Sequence, residues 1–256
     1  MQLNSEQLVV AQADGYLANK TVMVTGAGSD LGAAISLECA RKGATVILMD
    51  TKQRFLNPVY DEITAIGAPE PIIAPFDLNK EENNPQAVAQ SISSAVPCLD
   101  CLIHAHTVAS PLTPMAFNKI DNWASYFKTV LWLPLQLTQS LLGALSASQF
   151  ASVIFISIDV GRTPRAYWGP VGSAYAALEN TISTWADEPG NTNVLFNTID
   201  PGKVKSALRK KYYPAEASDH LRKVDDPNLL AHFIYLANGQ EHRIQGKKFT
   251  VPDLVA

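Results

Sequence analysis

The sequence predicts an α/β protein, a single Rossmann-type doubly wound parallel sheet of about seven strands with helices on both faces. Three observations carry this expectation. Short apolar runs alternate with helical stretches from one end of the chain to the other. Most of the short runs are continuously apolar, as suits parallel strands covered on both faces. The first of them, TVMVT at residues 21–25, runs directly into a glycine-rich turn, GAGSDLG, that opens a helix.

Taken in order, the strands are expected at 21–25, 45–50, 71–76, 101–106, 152–157, 193–199 and 248–251. The helical stretch 31–42 ends before Gly43, a residue suited to a C-terminal cap. Residues 118–147 carry a long amphipathic pattern with Pro134 inside it, so a kink or break is expected there. The stretch 174–188 stops at Pro189 and Gly190. Strand–helix–strand alternation of this kind implies right-handed crossovers. No Pro/Ser-rich linker, repeat or low-complexity tract interrupts it, so 1–256 reads as one domain with an N-terminal extension over 1–18.

Composition narrows the function classes. The 256 residues are 47% hydrophobic and 17% charged, and the net charge is -4 with 20 Lys+Arg. That balance fits an ordinary globular protein and argues against a nucleic-acid partner. The stretch LRKKYYPAEASDHLRK (208–223) mixes basic and aromatic residues, but Glu216 and Asp219 dilute it, and it reads as a solvated loop and helix. No apolar run approaches the roughly 20 residues of a membrane span. The first residues lack a secretory signal's basic start and apolar core. Cys39, Cys98 and Cys101 make no disulfide framework, so a cytoplasmic location is expected. Cys98 and Cys101 followed by His104 and His106 invite a zinc reading. A strand over 101–106 would hold Cys101 and His106 roughly 16 Å apart, too far for one zinc. No metal is expected.

The turn holds Gly26, Gly28 and Gly32 between a strand and a helix, where backbone N–H groups and the helix N-terminus can face a pyrophosphate. Asp50 ends the second strand, 24 positions after Gly26, about where an acidic side chain bonds an adenosine ribose. Its charge would repel a 2′-phosphate and favour NAD(H) over NADP(H), with Lys52 nearby acting the other way. Asp30 stands where a further glycine is expected. It brings negative charge toward the pyrophosphate unless it points outward or caps the helix, so weakened cofactor binding is expected. The plainer alternative is a turn that only packs.

These features together resemble the short-chain dehydrogenases/reductases. TGAGSDLG resembles that family's T-G-x-x-x-G-x-G turn, with Asp30 at its second glycine. FDLN (76–79) resembles the segment where an aspartate meets the adenine, here Asp77 followed by Leu78. His104, Ala105, His106 and Thr107 stand where the family has N-N-A-G. NTIDPGKVKS resembles its N-x-x-x-P-G turn and the hydroxyl residue near the nicotinamide amide, here Pro201, Gly202 and Ser206. IQGKKFTVPD resembles the last strand. The resemblance runs from about residue 18 to the C-terminus. It implies a cofactor site built from Gly26, Gly28, Leu31, Gly32, Asp50, Asp77, Leu78, Pro201, Gly202 and Ser206. It also implies a small-molecule carbonyl/alcohol substrate, a lid over 208–223, and a homodimer or homotetramer formed through helices 118–147 and 174–188.

The family's reaction centre is a Tyr-x-x-x-Lys pair on a helix, a Ser at the end of the preceding strand and an Asn on the long fourth helix. The lysine ammonium lowers the pKa of a tyrosine that would otherwise titrate near 10. Placed without gaps, the tyrosine position falls on Val171, the lysine position on Tyr175, the serine position on Ile158 beside Ser157, and the asparagine position on Val130. Shifting the register so that Tyr175 is the reactive tyrosine puts Glu179 at the lysine position, and a carboxylate would raise its pKa. Two readings follow. The first is a family member with degenerate catalytic residues, a pseudoenzyme with weakened NAD(P) binding. The alternative is an active NAD(H)-dependent oxidoreductase with a rebuilt centre, using Ser157 and Tyr175 with help from Asp159 or the histidines.

Overall fold

The computed structural model describes residues 1–77, 80, 84–190 and 193–253. Its centre is a seven-stranded parallel sheet in the order β3-β2-β1-β4-β5-β6-β7. The strands are β1 Thr21–Thr25, β2 Thr45–Asp50, β3 Ile72–Pro75, β4 Cys101–His104, β5 Ala151–Ile156, β6 Val194–Asp200 and β7 Lys248–Thr250. Each lies at its expected place, and β4 ends two residues early. Val22 pairs with both Val46 and Cys101, so β1 sits centrally between β2 and β4. The chain winds outward from β1 to β3, then returns to the other side of β1 to begin β4. The crevice at the carboxyl ends of β1 and β4 is therefore the topological switch point, where open α/β sheets take their ligands.

Helices cover both faces. One layer holds α1 (Ser5–Ala11), α2 (Asp30–Arg41), α3 (Gln53–Ala65) and a later helix over Pro227–Ala237, packed around Ile35, Leu56, Ile63 and Phe233. The opposite layer holds α4 (Pro85–Ala95), α5 (Ile120–Phe127), α6 (Leu133–Ser146) and α7 (Gly169–Asp187), packed around Ile92, Leu141, Leu178 and Ile182. Between α7 and the later helix, now α9, lies the short α8 (Ala207–Tyr212).

The long pattern over 118–147 breaks as its proline requires. A π-helical turn, Lys128–Trp132, joins α5 to α6, with the Leu133 N–H donating five residues back to the Lys128 carbonyl, and Pro134 follows in the first turn of α6, so the widened turn lies where the proline's missing N–H interrupts the regular ladder. The pattern over 174–188 begins earlier than expected, at Gly169, because Pro170 likewise occupies a first-turn position. Residues 1–18 are no loose appendage. Leu3, Ala11 and Leu17 are buried in the first layer, and the Met1 amino group donates to the Lys248 carbonyl at 2.8 Å.

Two glycines bring opposite expectations. A Cβ on Gly32 would lie 2.1 Å from the Gly26 carbonyl oxygen, whereas one on Gly143, exposed on α6, would touch nothing within 4 Å. Gly32→Ala is expected to lower unfolding free energy by about 2–4 kcal/mol. Gly143→Ala is expected to raise it by about 0.5–1 kcal/mol, by favouring the helix. Urea titration of both variants checks the pair.

Candidate active site

The glycine turn begins the site. Ser29 caps α2, its hydroxyl accepting from the Gly32 N–H at 3.1 Å and donating to the Gly26 carbonyl at 2.7 Å. Its carbonyl accepts the Ala33 N–H at 2.8 Å. An anion at this helix start would thus have the amides of Asp30 and Leu31 to use. Gly26 has φ +69° and its α-carbon faces the backbone of His106, which a Cβ would approach to 2.7 Å. Gly28 donates its N–H to Asp50 Oδ2 at 3.1 Å. The other oxygen of Asp50 takes the N–H and hydroxyl of Thr51 at 2.7 and 3.2 Å. The acid that ends β2 is thereby fixed beside the turn.

Beside Asp50 opens a cleft of about 420 Å³, counting its open mouth. Met49, Phe76, Leu133 and Leu137 give it apolar walls, with Asp50 and Asp77 contributing carboxylates. Leu78, expected next to Asp77, lies outside the described residues. His106 also lines the cleft; burial lowers its pKa, opposed by the charges of Asp50 and Asp77. His104 is a core residue. Its Nε2 bonds Thr138 Oγ1 at 2.8 Å, its ring stacks on Phe155 at 4.5 Å, and burial, followed by the neighbouring His106, holds its pKa down to about 3. Cys39 and Cys101 are fully buried, and burial raises both thiol pKa values.

Of the positions expected to hold the reaction centre, Val171 is fully buried on α7 and Val130 is buried within the π-helical turn. Tyr175 sits at 3% exposure with its hydroxyl 3.0 Å from Thr107 Oγ1. Burial pushes its pKa up to about 12, with the Thr107 bond working the other way. Ser157 points elsewhere: it donates to Glu179 Oε1 at 2.5 Å. That carboxylate also pairs with Arg162 at 3.1 Å and Lys248 at 3.4 Å, and Arg162 bridges on to Asp200. Burial raises the pKa of Asp200, while the Gly202 N–H and Arg162 lower it. The two candidate catalytic hydroxyls therefore belong to separate networks. Asp159, a third candidate, is exposed and paired with Arg165.

The turn after β6 places Pro201 buried and Gly202 at φ +73°. Ser206, expected near the nicotinamide amide, caps α8 by accepting from the Arg209 N–H at 3.2 Å. The segment expected as a lid is closely tied down. Just before it, the Ala207 N–H at the start of α8 donates to Asp30 Oδ2 at 2.6 Å. Tyr212 stacks against Trp168 at 4.6 Å and accepts the Ser110 N–H on its hydroxyl at 3.1 Å. Arg209 grips Glu216 with two bonds, at 2.6 and 2.7 Å.

The model of short chain dehydrogenases matches residues 20–217. The chain belongs to the short-chain dehydrogenase family. The uncharacterized oxidoreductase YciK of Escherichia coli (strain K12) is 29% identical over 234 residues, covering 91% of this chain and 92% of that one. The uncharacterized oxidoreductase MT0954 of Mycobacterium tuberculosis (strain CDC 1551 / Oshkosh) is 30% identical over 251 residues, covering 92% and 91%. A Shigella flexneri short chain dehydrogenase complexed with NADP superposes with a TM-score of 0.87 at 28% identity, covering 93% of this chain and 99% of that one.

Against that family background, three features escaped the sequence. Thr107 bonds the Tyr175 hydroxyl and the Tyr126 ring meets the Tyr175 ring edge-on at 6.5 Å, with burial raising the pKa of Tyr126. Glu179 gathers Ser157 and Arg162 from the connection between β5 and α7, and Lys248 from β7. Asp30 meets a residue 177 positions away. Nothing local announces such long-range partners. For His104 a pH dependence follows. It stays neutral in the folded chain down to about pH 3, whereas an unfolded imidazole protonates near 6.5. Stability is thus full above about pH 6.5 and drains as pH falls toward the folded value, by up to about 1.4 kcal/mol per unit. Between pH 7 and pH 5 the wild type is expected to lose about 2 kcal/mol more than His104→Asn, measured by denaturant titration.

Proposed function

We propose that this chain is a short-chain dehydrogenase fold that has lost its proton relay, a pseudoenzyme retaining weakened affinity for a nicotinamide dinucleotide. One observation carries the reading: the hydroxyl nearest the reaction centre, on Tyr175, is bonded to Thr107 with its pKa raised to about 12. Reduction of a carbonyl leaves an alkoxide that needs a proton from a group titrating near working pH. A phenol at about 12 holds its proton too tightly, and its position on α7 is followed one turn later by Glu179 instead of a cation. Lys248, the ammonium nearest that carboxylate, is committed to it. Ser157 is likewise occupied by Glu179.

The residues fit the adenosine half of a dinucleotide better than the rest. Asp50, fixed by Gly28 and Thr51, has carboxylate capacity left for a ribose hydroxyl. It would repel a 2′-phosphate, supporting NAD(H) over NADP(H), although the Shigella relative named above is complexed with NADP. Gly26, Gly32 and Leu31 supply the turn, and Asp77 the far rim. Pro201, Gly202 and Ser206 border the other half, where Tyr175 and the lid tyrosine leave a nicotinamide poorly accommodated. The exposed Phe117 and Ile120 support a homo-oligomeric contact around α5. Among the described residues no helix is long and apolar enough to cross a membrane, in keeping with a cytoplasmic role.

The deciding measurement is turnover of NADH and NADPH against a panel of aldehydes and ketones. No consumption above the buffer rate is expected. Turnover that disappears in Tyr175→Phe would establish the alternative, an oxidoreductase with a rebuilt centre.

A further inference from the structure

The dinucleotide's middle is where this chain and its family's cofactor disagree. A diphosphate on the glycine turn would sit over the start of α2, and there the chain carries its own anion. Asp30 occupies the first helical position of α2, exposed, with Oδ2 accepting the Ala207 N–H at 2.6 Å. The carboxylate thus already takes the Ala207 N–H, at the start of α8, beside the turn. Beyond it the lid is seated: Tyr212 fills the space between Trp168 and the Ser110 amide, close to Tyr126 and Tyr175.

The cleft beside Asp50 has not closed in the same way. Only about 40 Å³ of it is enclosed and the rest is open mouth, so it can hold one edge of a ligand whose remainder lies in solvent. Its walls are largely apolar, its polar rim includes two carboxylates, and among the described residues no lysine or arginine lines it. A ligand for such a place has a flat apolar body, hydroxyl or amine donors for Asp50 and Asp77, and no phosphate charge. Adenine presents an N6 amine and ribose presents hydroxyls, whereas each phosphate added at the 5′ end brings negative charge toward Asp30.

We propose that Asp30 is a built-in anion that latches the lid over the glycine turn and makes this cleft select a purine nucleoside over a dinucleotide. The inference rests on the non-catalytic reading above and deepens it by naming the ligand class. Asp30 is a specificity-determining residue. Its charge and its bond to Ala207 oppose a diphosphate, while the cleft beside Asp50 remains for an uncharged nucleoside.

Calorimetric titration of the full chain with adenosine, AMP and NADH tests this, alongside Asp30→Gly and Asp30→Asn. In the wild type adenosine is expected to bind tightest and NADH weakest. Asp30→Gly should raise NADH affinity by about tenfold or more, which corresponds to about 1.4 kcal/mol, and leave adenosine within about twofold. Asp30→Asn keeps a polar side chain without the charge and should raise NADH affinity by a smaller factor. Amide exchange at Ala207 should quicken in both variants, a readout that needs no ligand. Failure of the wild type to bind adenosine, NADH binding at least as tightly as adenosine, or an NADH affinity unmoved by Asp30→Gly would each overturn the proposal. Carbonyl turnover would instead overturn the non-catalytic reading, so the two failures are distinguishable.

Discussion

The structure depends on one close approach of backbone to backbone. Gly32 sits so near the Gly26 carbonyl that no side-chain atom fits between them, and Gly26 in turn lies against the backbone of His106 just beyond β4. These contacts draw the start of α2, the exit of β1 and the exit of β4 together at the carboxyl edge of the sheet. The crevice there results from sheet order and glycine placement alone. None of the side chains that do chemistry in the family takes part in holding it open. A chain can therefore keep the cleft while the residues projecting into it change.

What has changed is electrostatically consistent. A buried hydroxyl or carboxylate without a partner is costly, so polar groups left in a cleft find partners within the protein. Tyr175 finds Thr107, Ser157 finds Glu179, and Glu179 gathers Arg162 and Lys248. Two of these pairings engage the candidate hydroxyls, Tyr175 and Ser157. Asp30 extends the same pattern to the rim, where a carboxylate meets the Ala207 N–H at the start of α8. On the reading proposed above, these internal bonds would compete with the far end of a dinucleotide and spare the adenosine end.

Much of the scaffold could be read directly from the chain. The strands over 21–25 and 45–50 need no adjustment, because continuous apolar runs bounded by turn residues define both ends locally. Ends set by packing were harder. The fourth strand stops at His104, where the ring turns into the core onto Phe155 and the chain leaves the sheet toward Gly26. Helix α7 starts at Gly169 because Pro170 can begin a helix as readily as end one. The π-helical turn before Pro134 was legible as a break, though not in kind.

The sequence by itself determined the parallel α/β sheet and the glycine turn with Asp50 beside it. These depend on spacing and residue type within a few tens of positions. Tertiary structure alone decided which groups are engaged: Tyr175 with Thr107, Ser157 with Glu179, Tyr212 lodged beside Trp168, and Asp30 turned to Ala207. Such partners lie between 22 and 177 residues apart. Only the folded sheet, by gathering strand ends from distant parts of the chain onto one edge, brings them within reach of a hydrogen bond.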